Sequence, residues 1–144
     1  MVAIPDTARA VINSGRLGHL VTLNKDGSPQ VTIVWVGTDG DEIVIAHLSE
    51  HQKVRNVRRD ARVSLSIETD EVDPNGLTRY LVIYGKARIT EGGAAELLQQ
   101  LAYIYIGPGV KFPPMPNPPP GYVTHITPER FSGVGPWAAR VAGD

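Results

Sequence analysis

No cysteine occurs among the 144 residues of this chain. That absence excludes disulfide bonds, a thiolate nucleophile and any cysteine-ligated metal. No apolar run is long enough to cross a bilayer. The first residues lack the basic, apolar, small-residue order that directs secretion, so a cytoplasmic location is expected. An excess of either charge is also missing: 14 Lys and Arg stand against 15 Asp and Glu, for a formal net charge of −1. General nucleic-acid binding is therefore not expected, because it calls for a basic domain.

The common catalytic arrangements are missing as well. No G-x-G-x-x-G follows the first strand-like run, and no serine sits in a G-x-S-x-G elbow. There are four histidines, His19, His47, His51 and His125. His47 and His51 are four apart, but the turn at Leu48-Ser49 separates them, so they do not share a helix face as metal ligands would; no metal site is expected. Glu68, Asp70, Glu71 and Asp73 read as a solvated acidic turn and not as paired catalytic carboxylates. What remains is a set of polar positions able to hold a molecule and few able to move protons. That pattern suits a protein whose cofactor carries the chemistry.

The composition is that of an ordinary globular protein, 42% hydrophobic and 20% charged, and the length suits one domain over residues 1–144. Pro5 and Gly15 bracket a short helix over Ile4–Ser14. Strands are expected at Gly18–Leu23 and Gln30–Val36, joined as a hairpin by Asn24-Lys25-Asp26-Gly27-Ser28. In the second of these, Val31, Ile33 and Trp35 face one way and Gln30, Thr32 and Val34 the other. Thr38–Asp41 reads as a turn and Glu42–Leu48 as a third strand. Ser49 and Gln52 have the spacing of a capping box, opening a helix with Val54 and Val57 on its buried side. Arg62–Glu68 alternates, with Val63, Leu65 and Ile67 inward. After the acidic turn, Thr78–Thr90 is a long strand with Gly85 marking a bulge or bend. Gly92–Ile106 has helical period. Residues 107–120 hold seven of the 12 prolines and form a stiff extended excursion. A last strand covers Tyr122–Ile126 and Arg130–Val134, interrupted near Pro128. Six or so strands with two or three short helices, few in βαβ order, predict an antiparallel barrel with appended helices.

Positive charge is concentrated at one place. Lys53, Arg55, Arg58, Arg59 and Arg62 are five of the 14 basic residues. Arg58, Arg59 and Arg62, with Asp60 among them, read as a wet helix face. Lys53, Arg55 and Asn56 sit in the first turns of a helix, where the backbone N–H groups and the dipole already favour an anion. A cation there is disfavoured unless an anion accompanies it, so Lys53 and Arg55 are expected to hold one.

Three ordered segments, Leu20–Trp35, Gln52–Leu65 and Tyr80–Ala87, together resemble the flavin/deazaflavin oxidoreductases of the split β-barrel type, relatives of pyridoxamine 5′-phosphate oxidase. The deazaflavin branch, which uses coenzyme F420, is the nearest in pattern. The resemblance covers roughly residues 6–105 and is carried by the order of segments more than by any one motif. It implies a mainly β (α+β) fold: a six- to seven-stranded antiparallel split β-barrel of the FMN-binding type, with short flanking helices. It also implies a homodimer with the cofactor in a groove at the subunit interface and a small-molecule substrate. The family's phosphate positions fall on Lys53, Arg55 and Asn56. Its ring-side positions fall on Gln30, Val31 and Thr32 and on Ala46, His47 and Leu48. Tyr80, Tyr103, Tyr105 and Trp137 are the aromatic candidates for closing the groove, and His51 stands where some relatives carry an arginine. Function follows the cofactor. Reduced F420 points to hydride transfer to an unsaturated small molecule. FMN, the alternative, points to an oxidase of pyridoxamine-phosphate type. A cofactor or tetrapyrrole carrier without turnover would use the same barrel and basic helix. The proline-rich segment either lines the pocket or braces the dimer.

Overall fold

The structure, a computed structural model, describes residues 2–138. Seven strands and three helices follow one another as α1 (Asp6–Ile12), β1 (Gly18–Leu23), β2 (Pro29–Val34), β3 (Gly37–Asp39), β4 (Glu42–His47), α2 (Gln52–Arg59), β5 (Arg62–Val72), β6 (Thr78–Glu91), α3 (Ala94–Tyr105) and β7 (Tyr122–Val134). The strands form one sheet in the order β2-β1-β5-β6-β7-β4-β3, with every pairing antiparallel. β2 and β3 are the two edges, and the sheet is left open between them. This is the expected split arrangement with seven strands.

Alternation explains the core. Leu65 and Ile67 of β5, Leu81 and Ile83 of β6, and Ile43 and Ile45 of β4 are all 1% exposed or less and pack with Leu20 and Ile126 on the concave side of the sheet. α1 seals one end by burying Ala8, Val11 and Ile12. It is tied to the β3–β4 turn through Arg9, whose guanidinium donates to Gly40 O and Asp41 Oδ1.

Several boundaries differ from the sequence reading. α1 begins at Asp6 and not at Ile4, because Pro5 has an extended ψ of 146° and serves as its N-cap. Thr38 and Asp39, expected as the start of a turn, instead belong with Gly37 to β3 and pair with Ile43 and Glu42. The acidic stretch is not a free turn: β5 continues through it to Val72, and Arg79 draws Glu71 and Asp73 together while Arg16 pairs with Asp70. β7 is continuous through Pro128. Tyr84 pairs with Arg130 and Gly85 with Pro128, so Glu129 is the extra residue of a bulge opposite Gly85. The proline's missing N–H falls where the ladder is already irregular.

The orientation of β2 has the largest consequence. Its inward residues are Thr32 and Val34, while Val31 and Ile33 are 61% and 59% exposed. Through the register Val31↔Val21, Val21↔Ser64 and Ser64↔Tyr84, this apolar edge continues across the outer side of β1, β5 and β6.

Candidate functional site

β4 leaves the sheet at His47, and after four residues the chain enters α2 at Gln52. The expected capping box is not formed. His51 is the N-cap, no side chain caps the helix, and the Ser49 hydroxyl is engaged with the His51 ring at 3.3 Å. Gln52, already inside the helix, donates to Asn56 Oδ1 at 2.8 Å. The start of α2 therefore keeps the uncapped N–H groups that attract an anion.

Asn56 is the centre of the polar structure beneath this helix, and it does not face a ligand. It is fully buried. Its amide nitrogen lies 3.0 Å from Thr22 Oγ1, 2.9 Å from Asn24 Oδ1 and 3.3 Å from Gln30 Oε1, and its oxygen accepts from Gln52 and Arg59. This corrects the expectation that Asn56 contacts a phosphate. Gln30 is drawn into the same network and turns its side chain inward. His47 is also internal, 3% exposed, with Nε2 2.7 Å from Thr124 Oγ1. Burial, reinforced by the charges of Lys53 and His51, pushes its pKa down to about 3, so the ring is neutral and structural.

The cations of the basic cluster, four on α2 and Arg62 at the start of β5, have different partners. Arg58 pairs with Glu50 and Glu91 and lies over the Tyr122 ring. Arg62 pairs with Asp60. Arg59, expected to be merely wet, donates to Leu23 O and Asn56 Oδ1 and clamps α2 to the β1–β2 turn. Arg55 is exposed, with one arm on Glu50 O and the other on Gln52 Oε1. Lys53 differs from all of these. It is half-buried, burial alone lowers its pKa, and among the described residues it has no ion-pair partner.

Lys53 opens into a hollow of about 240 Å³ at the split in the sheet. Ile33, Val34 and Trp35 from the end of β2, Ala46 of β4, Leu98 of α3 and Phe112 complete its lining. Of the ten site residues expected from sequence, only Ala46 and Lys53 line it directly. Val31 and Thr32 precede its β2 residues on the same strand, while Leu48, just past the end of β4, lines a separate hollow with Gly121 and Tyr122. Trp137 does not reach it within one subunit: it is 6% exposed in the core, with Nε1 donating to Tyr80 O at 3.2 Å. Sequence reasoning missed Ile33, Val34, Trp35, Leu98 and Phe112 as lining residues. Trp35 carried the one available signal, as the aromatic end of an alternating strand.

Three observations test whether an anionic ring cofactor fits. Lys53 is a cation without a counter-ion, the α2 N-terminus is uncapped, and the buried Thr32 Oγ1 has no hydrogen-bond partner. All three supply polarity that a bound anion and ring would satisfy. A larger hollow of about 740 Å³ lies on the outer side of the sheet beside Arg16, His19 and Arg79. Both of its arginines are already paired with carboxylates, so it is the weaker anion site.

The family model described as pyridoxamine 5′-phosphate oxidase matches residues 4–135. A solved structure described as an F420 reductase is 27% identical, with a TM-score of 0.72 over 90% of this chain and 98% of that one. A conserved hypothetical protein from Mycobacterium tuberculosis is 25% identical, with a TM-score of 0.68 over 92% and 85%. HupZ from Group A Streptococcus shares the fold at 19% identity, with a TM-score of 0.65 over 98% and 100%.

Proposed function

The chain belongs to the pyridoxamine 5′-phosphate oxidase family, an oxidoreductase family, and from that premise we propose that it is a reductase using the deazaflavin coenzyme F420 to transfer a hydride to an unsaturated small molecule. The working unit is a homodimer of single split-barrel domains with the cofactor in the groove between subunits. The observation that carries this reading is Lys53: half-buried, unpaired and placed at the uncapped start of α2. The 27% identical structure described as an F420 reductase supports the same choice.

Deazaflavin is preferred over FMN on geometry. Residues two apart on a helix diverge by roughly 200°, so Lys53 and Arg55 look to different sides of α2. A ligand meeting both must run past the helix start. The deazaflavin tail is longer and more negative than the single phosphate of FMN.

When bound, the reduced deazaflavin supplies the hydride. The chain's own residues do the rest. Lys53 and Arg55 would hold the tail, and Val31 and Thr32 of β2, Ala46 of β4 and Leu48 just beyond it would border the ring, where Thr32 Oγ1 has an unused hydrogen bond to offer. Ile33, Val34 and Leu98 keep water from the ring, which strengthens each polar contact there. His47, being neutral and bound to Thr124, leaves the accompanying proton to solvent.

Titration of the purified protein with deazaflavin and with FMN tests the proposal. Lys53→Ala weakens deazaflavin binding by about 1.5–3 kcal/mol, roughly 10- to 150-fold, and Arg55→Ala falls at the lower end of that range because its site is wetter. Unchanged affinity in both variants removes the site. Tighter binding of FMN than of deazaflavin removes the cofactor assignment.

A further inference from the structure

We propose that Asn56 is a positioning residue: its buried amide fixes the roll of α2, and so aims Lys53 into the hollow and sets where Arg55 stands. This deepens the function above and rests on those two cations holding the anionic tail.

The amide leaves α2 a single seating. Asn56 is fully buried in the middle of an eight-residue helix. Its nitrogen reaches across to three oxygens of the β1–β2 hairpin, on Thr22, Asn24 and Gln30, at 3.0, 2.9 and 3.3 Å. Its oxygen accepts from Gln52 Nε2 at 2.8 Å and from Arg59 at 3.0 Å, both on its own helix. The two hydrogens and two lone pairs of a carboxamide are then all used. Stability alone does not call for this residue. Asparagine is a poor helix former, and an apolar side chain fills a buried helix position with no network to satisfy. What a fully bonded buried amide adds is one allowed arrangement, because any other strands polar groups where water does not reach.

Helix geometry carries that constraint to the cations. At roughly 100° per residue, Asn56 lies about 60° to one side of Lys53 around the helix and Val57 about 40° to the other. Asn56 and Val57 are 0% and 4% exposed, so the direction of Lys53 is bracketed by one polar anchor and one apolar anchor. With Val54 and Val57 alone, α2 would rest on a smooth apolar contact and could roll, carrying Lys53 outward into water. Arg55 is reached by a second route. Gln52 donates to Asn56 Oδ1 while its own Oε1 accepts from Arg55 at 2.8 Å. The far side of the network is the hairpin whose edge strand β2 supplies Ile33 and Val34 to the hollow. One amide therefore holds the tail-binding helix in register with the strand that walls the site.

The test reads Lys53 directly. Lysine side chains are titrated by heteronuclear NMR in the ligand-free parent and in Asn56→Ala, with the exposed Lys25, Lys86 and Lys111 as references. Calorimetric titration with coenzyme F420 accompanies it. Burial holds the Lys53 pKa below its usual 10.5. Expected in Asn56→Ala are a Lys53 titration moved up toward that value and about tenfold weaker coenzyme binding. Added to Lys53→Ala, the same change costs about threefold or less, the share carried by Arg55. Asn24→Ala removes one acceptor from the half-exposed end of the network and leaves α2 untouched. It is expected to move both readouts the same way, by about threefold in affinity, and it decides the matter should Asn56→Ala unfold. A network that served stability alone would lower the melting temperature and leave both readouts in place, so either readout at the parent's value overturns the proposal. An undiminished loss in the Lys53→Ala background overturns it as well, since the effect then bypasses Lys53. A shifted Lys53 titration in a protein that binds no F420 would sink the cofactor reading and leave the role of Asn56 standing.

Discussion

His47 is held neutral because its ring is removed from water and lies near the charges of Lys53 and His51. The consequence for stability has a definite sign. The unfolded chain takes up a proton near pH 6.5, while the folded one waits until about 3. Between those values the unfolded state binds more protons, so stability falls as pH falls, by up to about 1.4 kcal/mol per pH unit. His125, whose pKa burial also lowers, acts in the same direction. Thermal melting between pH 7 and 4.5 is therefore expected to show a declining Tm in the parent protein and a shallower decline in His47→Gln. Parallel curves would remove His47 as the cause. Among single residues, the sequence singles out Lys53 because a cation at a helix start needs an explanation, and the structure leaves it half-buried at an uncapped one. Sequence reasoning misplaced Asn56, because spacing shows that Asn56 and Lys53 share a side of α2 but not that Thr22, Asn24 and Gln30 lie beneath that side.

At the scale of elements, the β6–β7 ladder depends on Gly85. A Cβ there would stand 2.4 Å from Thr127 O and 3.1 Å from Ile126 Cγ2, where backbone cannot yield cheaply. Gly85→Ala is expected to lower stability by about 2–4 kcal/mol, read as a shifted denaturant midpoint with an unchanged m-value. A shift below 0.5 kcal/mol would mean that the bulge absorbs the methyl group. Sequence located this irregularity because glycine inside a strand pattern is rarely accidental. β1, β5 and α3 were legible from period alone. β2 was not: with apolar residues on both faces, Val31 and Ile33 on one and Val34 on the other, alternation could not say which face is inward. The capping box failed for a different reason. The Ser49 hydroxyl was taken by His51, and motif spacing carries no record of such competition. The hollow was illegible as a whole because Trp35, Leu98 and Phe112 meet only through the sheet's topology.

Over the whole molecule, the outer row of Val31, Ile33, Val21 and Tyr84 is an apolar face with small serines, Ser64 and Ser66, between its ends. Such a face suits isologous pairing with a second copy. The double change Val31→Asp with Ile33→Asp is expected to convert a dimer to a monomer in analytical ultracentrifugation and to weaken deazaflavin binding about tenfold or more. A dimer that persists would place the interface elsewhere. Among the described residues no helix is long and apolar enough to cross a membrane.

β7 alone joins the two parts of the sheet, pairing with β6 along one side and β4 along the other, and it follows every other strand in the chain. A polypeptide emerging from the ribosome must therefore wait for its final strand. Until residue 134 is out of the exit tunnel, a four-stranded piece and a detached hairpin coexist with their greasy undersides bare. Nascent chains stalled before that point are the form most in need of a chaperone.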